Sequence, residues 1–267
     1  MKGKICNEEL IAKMAGQRWH RRMELAPGIF TPASPIPALI LDEFLPADLS
    51  GMRVLDLGTW DGAYAFECKR RGAESILAID IADPDKCGFN LARECLGLEV
   101  EYQRRSIYDL SATVDGRFDL ILFLGLIYHL RHPLLALDIL WDMCIHTLLV
   151  ESQVCDEHFV IGHDAAGKEQ RETLPEWVRE NRVAQFYPSN ELNNDFSNWF
   201  SPSMACLAGW LDSSGFEPEL MIRDKSRAFF RAQRRDMPAR PWWIENEQIG
   251  AFSRRRCCAV PSLEALP

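Results

Sequence analysis

Apolar residues in the middle of the chain fall into short runs separated by segments with helical spacing. The runs that predict strands lie at 54–57, 75–81, 100–104, 118–124 and 147–152, and the helical segments lie at 63–71, 84–96 and 134–143. A helix over 204–213 then precedes two runs, 216–223 and 226–234, that are expected to pair as a hairpin. Strands and helices in this alternation build a parallel sheet covered on both faces. The predicted fold class is therefore α/β, a doubly wound and mostly parallel sheet of seven strands.

The segments around this pattern suggest a division of the chain. Residues 1–50 are a lead-in, in which a short helical pattern gives way to a proline-rich stretch. Residues 156–200 are polar and lack a clear period, and a long segment of this kind in a compact domain is usually functional or mobile. We therefore expect a lead-in or lid (1–50), a main domain (51–235) with an acceptor-binding insertion at 156–200, and a C-terminal tail (236–267).

Charge limits the expected partners. The chain has 267 residues and a formal net charge of -9, which argues against nucleic acid as a partner because phosphate binding usually needs a basic face. The clusters Arg234–Arg235 and Arg254–Arg256 are interpreted as solvated charge near the C-terminus. A small molecule is the expected substrate, and the oligomeric state is left open.

Cysteine usage and the lack of long apolar runs bear on the compartment. The nine cysteines include no Cys-x-x-Cys pair and no zinc-ligand spacing, so no metal site is expected, and free thiols suit a reducing environment. The first residues lack the apolar stretch of a signal peptide, and no run approaches the ~18 apolar residues that cross a bilayer. We expect a soluble, cytoplasmic protein without a membrane partner.

The strongest chemical signal is a glycine turn after the first predicted strand. Asp56-Leu57-Gly58-Thr59-Trp60-Asp61-Gly62 follows that strand, and Asp80 lies near the end of the second. Glycine lets a backbone approach a ligand closely, and an acidic residue about 20 positions downstream can accept both hydroxyls of a ribose. Two cofactor classes fit, nicotinamide dinucleotides and S-adenosylmethionine.

Trp60 distinguishes these two classes. It stands where a dinucleotide fingerprint has its second glycine, and its side chain would crowd a pyrophosphate at the helix N-terminus. S-adenosylmethionine has no phosphate, and its ammonium and sulfonium suit carboxylate and carbonyl neighbours. The turn therefore favours S-adenosylmethionine.

Three sequence segments carry a resemblance to a known family. VLDLGTWDGAYAFECKRRGA, AIDI and FDLILFLGLIYHLRHPLLAL make the chain similar to class I S-adenosylmethionine-dependent methyltransferases. The subgroup it most resembles is related to the tRNA wobble-uridine carboxymethyltransferase, which also has a Gly-x-x-Tyr-His segment followed by proline. The resemblance covers about residues 50–235.

The resemblance implies a set of cofactor contacts. The methionine end would meet Asp56, Gly58, Thr59 and Gly62, the ribose Asp80, the adenine Ile81, Ser106, Ile107 and Tyr108, and the sulfonium region Gly125 and Leu126. Trp60 replaces the usual second glycine of the motif, so the turn geometry or a stacking contact is expected to differ there. The acid that often meets the adenine amino group has no clear counterpart.

One feature of the subgroup bears on the transferred group. There, a lysine before the first strand and a late arginine recognise an extra carboxylate on the donor. This chain has no lysine between Lys13 and Lys69, and no arginine could be matched. Because a buried carboxylate without a cation is costly, a plain methyl donor is favoured.

Catalytic and substrate residues are expected around the fourth strand, in the lead-in and in the insertion. Methyl transfer mainly requires alignment and exclusion of water, and a base with a pKa near neutrality helps when the nucleophile carries a proton. The candidate catalytic residues are His129, Tyr128 and His20. The candidate substrate residues are Trp19, Arg21, Tyr187, Asn193, Asn194 and Trp199.

The sequence thus leads to one main hypothesis and several alternatives. The main hypothesis is an S-adenosylmethionine-dependent methyltransferase that modifies an oxygen or nitrogen of a small molecule. The alternatives are a tRNA-modifying methyltransferase, motivated by the subgroup resemblance and the C-terminal arginines, and a non-catalytic protein that binds the cofactor. A nicotinamide oxidoreductase is disfavoured by Trp60.

Overall fold

Seven strands form one sheet in which six run parallel and one runs antiparallel. The computed structural model describes residues 6–224 and 226–236. The strands are β1 (Arg53–Leu57), β2 (Ser75–Asp80), β3 (Glu101–Arg104), β4 (Phe118–Leu124), β5 (Cys144–Gln153), β6 (Phe216–Asp224) and β7 (Arg227–Arg234). Their order across the sheet is β6-β7-β5-β4-β1-β2-β3, and β7 is the antiparallel strand. The predicted fold class and the terminal hairpin are confirmed.

Helices cover both faces of this sheet. They are α1 (Asn7–Ala15), α2 (Ala63–Arg70), α3 (Phe89–Leu96), α4 (Pro133–Met143) and α6 (Met204–Ser213), while α5 (Glu176–Glu180) lies in the insertion. The predicted helix over 84–96 starts later, at Phe89, because Gly88 has a φ of 85° and the Trp19 ring packs against it. β1 and β4 are parallel neighbours, and the order in which strands are added to the sheet reverses between them, so the crevice at their carboxyl ends is the expected ligand site.

Alternating residues of β1 supply two hydrophobic cores. Leu55 and Leu57 face α4 and α6, whereas Val54 faces α2, α3 and the lead-in. Every apolar residue of this strand is therefore buried, which explains why it reads as a continuous apolar run.

The lead-in packs on the same sheet face as α2 and α3. After α1 it forms a small hairpin, Glu24–Ala26 with Ile29–Phe30, and then a turn of π-helix at Ile40–Phe44. Phe44 is fully buried and meets Phe229 of β7 edge-on, with 5.4 Å between the ring centroids. The residues described up to Arg234 belong to one compact unit.

The insertion contains regular elements that its sequence does not reveal. His158–His163 pairs with Glu169–Thr173, α5 follows, and Ala184–Phe186 pairs with Phe200–Pro202. Glu169–Thr173 is polar throughout and mostly exposed, so it lacks the alternation that marks a half-buried strand. The tail from 237 onward, with Arg254–Arg256, lies outside the described residues. Within the part that is described, no helix is both long enough and apolar enough to cross a membrane.

Candidate active site

The predicted cofactor residues gather at the carboxyl ends of the parallel strands. Gly58 follows β1, Asp80 ends β2 and Gly125 follows β4. The backbone N–H of Gly58 donates to the Ile79 carbonyl at 2.9 Å, which joins the ends of β1 and β2. Residues far apart in the chain thus form one crevice.

The Asp80 carboxylate points towards the glycine turn. Its Oδ2 accepts a hydrogen bond from the Trp60 backbone N–H at 2.9 Å, and its Oδ1 accepts one from Ala82 at 2.9 Å. A carboxylate offers about four acceptor positions, so two such bonds leave capacity for the hydroxyls of a ribose. Asp80 is only partly buried, so this capacity is accessible.

The glycine turn is closely packed. Gly58 has a φ of 69°, and a Cβ there would lie 3.3 Å from Cδ2 of Leu126. The backbone of Trp60 is in the left-handed region, with a φ of 47°. Apart from glycine, few residues other than asparagine and aspartate adopt this conformation. Its indole Nε1 donates to the Arg18 carbonyl at 2.7 Å, so this edge of the ring is turned towards the lead-in. Trp60 therefore takes a backbone conformation that glycine adopts without steric cost, and a changed turn geometry or stacking contact stays a prediction.

Asp56 lies behind this turn in the interior. Its Oδ2 accepts from the Thr59 hydroxyl at 2.6 Å, and burial raises the pKa of Asp56 to about 7. The pair thus stiffens the beginning of the turn.

The residues predicted to meet adenine follow β2 and β3. Ser106 begins a short 3-10 turn and accepts from the Tyr108 backbone N–H, and the Tyr108 hydroxyl accepts from the His132 backbone N–H at 3.0 Å. Ile81 is 73% exposed, whereas Ile107 is buried in the core. Only backbone atoms of Ile107 are thus available beside a ligand, while Ile81 offers an open apolar side chain.

These features fit S-adenosylmethionine. Asp80 would hold the ribose hydroxyls, the turn from Gly58 to Gly62 would frame the methionine end, and Ile81 with Tyr108 would flank the adenine. When bound, the cofactor supplies a methyl group that its sulfonium makes electrophilic. What remains for the chain is to bind, orient and desolvate the reactants.

A partly buried ion pair lies on the lead-in side of the sheet. Arg227, the first residue of β7, donates to Oε1 of Glu151 in β5 and to the Tyr128 hydroxyl, both at 2.9 Å. The Glu151 and Arg227 positions are diagonal neighbours across the β5–β7 pair, which brings their side chains together on one face. Burial raises the pKa of Glu151 and the Arg227 charge opposes that rise. Tyr128 is consequently held on the sheet rather than free to move.

His129 is oriented by the insertion. Its Nδ1 lies 3.2 Å from the Ser197 carbonyl oxygen and 2.9 Å from the Ser197 hydroxyl, which in turn donates to Asp195. A carbonyl oxygen only accepts, so Nδ1 carries the proton and Nε2 is the acceptor nitrogen. Burial lowers the pKa of His129, partly offset by the bond to Ser197. The side chain is thus a neutral base at pH 7.

The lead-in brings two of the predicted residues to the same place. Partial burial lowers the pKa of His20, and the charges of Arg21, Arg227 and His129 lower it further. The Arg21 charge also acts on Glu151. The Arg21 Nε is buried and has no hydrogen-bond partner among the residues described. His20, Arg21, Tyr128 and His129 therefore share one neighbourhood, while their catalytic and substrate roles stay predictions.

Several predicted substrate residues lie elsewhere. Tyr187 is buried in a small cluster inside the insertion, because its ring packs with Val160 and Leu192. Trp19 packs on Gly88 rather than facing the crevice, because Gly88 leaves room for its ring. Asn193 and Asn194 bind the hairpin of the insertion, through Glu169 and the Gly167 carbonyl respectively. Trp199 remains beside the site, since its backbone N–H donates to the Tyr128 carbonyl at 2.8 Å.

Sequence reasoning missed four residues of this region. Glu151 carries the same signal as Asp80, an acid near the end of a buried parallel strand, and could have been found. Arg227 and Ser197 carry no local signal, and Asp61 stands in the glycine turn without any local sign that it contacts the lead-in, because these contacts depend on strand order and on segments 40 or more residues away.

Comparisons with known proteins identify a family. A family model described as a methyltransferase domain matches residues 33–218. The tRNA U34 carboxymethyltransferase of Dichelobacter nodosus is 26% identical over 223 residues, which are 81% of this chain and 60% of that protein. The protein of the same name from Pseudomonas paraeruginosa is 32% identical over 177 residues, 63% of this chain and 46% of that protein. The chain thus spans about half the length of these relatives.

Solved structures share the fold. The N-terminal domain of EvdMO1 with S-adenosylhomocysteine bound aligns with a TM-score of 0.60 at 20% identity, covering 88% of this chain and all of that one. An S-adenosylmethionine-dependent methyltransferase from Mesorhizobium loti aligns with a TM-score of 0.53 at 16% identity, covering 74% of this chain and 96% of that one.

The relatives correct one expectation. Net charge argued against nucleic acid as a partner, and this is wrong as an exclusion, because the relatives are named for their action on tRNA. A net charge of -9 is a sum over the whole chain and does not describe the charge of any one face. With its glycine turn, the Asp80 carboxylate beside that turn and a matching domain model, the chain belongs to the methyltransferase domain family and is an S-adenosylmethionine-dependent methyltransferase.

Proposed function

We propose that the chain methylates a nucleoside of tRNA, with the wobble position of the anticodon as its target. The relatives that share 26% to 32% identity with it and are named tRNA U34 carboxymethyltransferase carry this proposal. An anticodon nucleoside lies in a single-stranded loop, where its base can be splayed out and read by protein side chains.

A surface that could bind an unpaired base adjoins the 3-10 turn Ile127–His129, which carries the candidate catalytic residues. We call Arg131, Phe186 and Trp199 the stacking platform. The Arg131 guanidinium carbon lies 4.3 Å from the centre of the Trp199 ring, and the Phe186 and Trp199 rings stack at 19° with 6.2 Å between centroids. Phe186 is 46% exposed. Unpaired bases commonly stack on aromatic rings and on arginine guanidinium groups.

His129 supplies the base that the proposed reaction needs. Methyl transfer to a nucleophile that bears a proton moves the methyl carbon from sulfur to the nucleophile, and the C–S electron pair stays on sulfur. The proton released passes to Nε2 of His129, which Ser197 leaves as the acceptor nitrogen. Tyr128, held by Arg227, borders the same space.

The two arginines beside Glu151 favour a second candidate for the transferred group. The relatives' name specifies carboxymethyl transfer. Arg21 has a buried Nε without a partner in the described structure, and Arg227 is nearby. These cations suit a carboxylate on the donor, so a carboxymethyl group is the second candidate.

The test is nucleoside analysis of tRNA treated with the enzyme. Unmodified tRNA is incubated with the full chain and S-adenosylmethionine, digested and examined by mass spectrometry, which also distinguishes methyl from carboxymethyl products. We expect enzyme-dependent methylation of an anticodon nucleoside. Methylation of metabolites in a cell extract with none in tRNA would refute the proposed acceptor.

Variants of the stacking platform sharpen this test. Phe186→Leu and Arg131→Gln should raise the KM for tRNA by about tenfold each, since stacking on an aromatic ring contributes about 1–3 kcal/mol per base. Affinity for S-adenosylhomocysteine should not change. The matched control is Trp177→Leu, because Trp177 is 61% exposed but lies on α5, outside the platform. An equal effect of all three variants would contradict a specific role of the platform.

A further inference from the structure

Residues 17–22 connect α1 to the lead-in hairpin, and we call them the strap. They contact the glycine turn after β1, which we also call the cofactor turn. The Arg18 backbone N–H donates to the Lys86 carbonyl at 3.1 Å, and the Arg18 carbonyl accepts from the Trp60 indole at 2.7 Å. Trp19 fills the space above Gly88, where a Cβ would lie 2.6 Å from the ring. The strap is thus attached at both the turn after β1 and the loop before α3.

Asp61 makes the central attachment. Its Oδ2 accepts hydrogen bonds from the backbone N–H groups of both His20 and Arg21, at 2.6 and 2.8 Å. Its side chain is almost fully buried, so these bonds are shielded from water. Two charge-assisted bonds to one buried oxygen fix the direction of the backbone as well as its position.

This attachment determines where the strap side chains lie. One of the two bonded N–H groups belongs to Arg21, whose charge acts on Tyr64 and Glu151. The other belongs to His20, which is close enough to Arg227 for that charge to lower its pKa. Asp61 itself is too deeply buried to meet an acceptor. Its effect on the site must therefore pass through the strap.

The same turn connects Asp61 to the cofactor residues. Trp60, its neighbour, donates its backbone N–H to the Asp80 carboxylate and its indole N–H to the strap. A ribose bound by Asp80 therefore contacts the carboxylate that holds Trp60, and the residue after Trp60 is Asp61, which holds the strap.

We propose that Asp61 is a positioning residue: it docks the strap onto the cofactor turn, so that cofactor binding and placement of Arg21 and His20 are coupled. The coupling does not depend on the acceptor, since every contact involved lies between the turn and the lead-in. Thermodynamic linkage makes the coupling reciprocal, so that a docked strap favours the bound cofactor to the same extent.

Limited proteolysis of the full chain measures strap docking directly. Trypsin cleaves after arginine, and the strap contains Arg18, Arg21 and Arg22. Mass spectrometry of the released peptides reports the rate of cleavage in the strap. In the unaltered protein, saturating S-adenosylhomocysteine should lower this rate. Asp61→Ala should accelerate that cleavage by about tenfold or more, because local opening then costs two hydrogen bonds fewer. The variant should also bind S-adenosylhomocysteine more weakly.

A matched control and a second measurement guard against general unfolding. Asp164 likewise accepts two backbone N–H bonds on one oxygen, from Ala166 and Lys168, both at 2.9 Å, but in the exposed hairpin of the insertion. Asp164→Ala should leave strap cleavage and cofactor affinity unchanged. If Asp61→Ala does not fold, the unaltered protein still tests the proposal, through protection of its strap by S-adenosylhomocysteine. Absence of that protection, or a strap equally resistant in Asp61→Ala, would overturn the proposal.

Discussion

Replacing Arg227 by methionine tests the partly buried ion pair at the start of β7. Methionine keeps an unbranched apolar stem of similar reach and removes the guanidinium. The change deletes the hydrogen bonds to Glu151 and Tyr128, both 2.9 Å long, and leaves the Glu151 carboxylate in a buried position. We expect a lower free energy of unfolding.

The size of the effect follows from the surroundings of the pair. Removing one partner of a fully buried ion pair costs about 3–5 kcal/mol, whereas an exposed pair contributes at most about 1 kcal/mol. The Arg227 side chain is 35% exposed and that of Glu151 11%, so water screens part of the interaction. The charge of Arg21 also remains near Glu151. A loss of about 2–3 kcal/mol is therefore expected.

The loss should depend on pH. Burial already raises the pKa of Glu151, and without Arg227 that pKa rises further. A folded-state pKa above the unfolded one means that the folded protein binds more protons, so the free energy of unfolding falls as pH rises from the unfolded pKa through the folded pKa. The destabilisation by Arg227→Met should thus be smaller at about pH 5 than at about pH 8.

Urea unfolding of the full chain at both pH values measures this difference. Arg231→Met is the matched control, since Arg231 lies on the same face of β7 but pairs at 3.9 Å with Glu219, which is 67% exposed. The control should lose less than about 1 kcal/mol. Equal losses in the two variants, or a loss for Arg227→Met that does not change with pH, would refute the reasoning.

Three further predictions concern the turn and the site. Gly62→Ala should cost about 2–3 kcal/mol more in unfolding free energy than Gly97→Ala, because both glycines are left-handed but a Cβ meets Phe66 at 2.6 Å only in the first; similar losses would contradict this. Asp80→Asn should weaken S-adenosylhomocysteine binding by about tenfold in calorimetry, through loss of a charged acceptor, and unchanged affinity would count against the ribose assignment. His129→Gln should lower kcat by about a hundredfold and remove the acid limb of its pH profile. In the unaltered enzyme that limb lies below the ordinary histidine pKa because burial lowers the pKa of His129, and an intact limb in the variant would assign the limb to another group.

The sheet and the cofactor turn could be predicted because their signals are local. β1 and β4 are buried on both faces and read as continuous apolar runs, and Gly58 and Asp80 stand where such strands end. A strand end fixes the position of the next side chain whatever the rest of the chain does. The same logic extends to Glu151, which was overlooked.

The remaining contacts could not be predicted because they are decided by strand order and by surface packing. Arg227 meets Tyr128 across 99 residues, and Asp61 meets Arg21 across 40. Tyr187 was a candidate substrate residue because it stands in a polar segment, yet its side chain forms the interior of the insertion. Polarity of a segment says little about which of its few apolar residues is enclosed.

Insertion of an antiparallel strand between β5 and β6 has a consequence for how late residues reach the crevice. Parallel strands deliver only the residues at their ends to this edge, whereas β7 delivers its first residue, Arg227. Side chains alternate along a strand, so a shift of β7 by a single position against β5 would turn this guanidinium to the opposite face. The length of the connection between β6 and β7 thus determines whether Arg227 faces Glu151. A one-residue insertion there should separate the arginine from Glu151 while leaving the sheet in place.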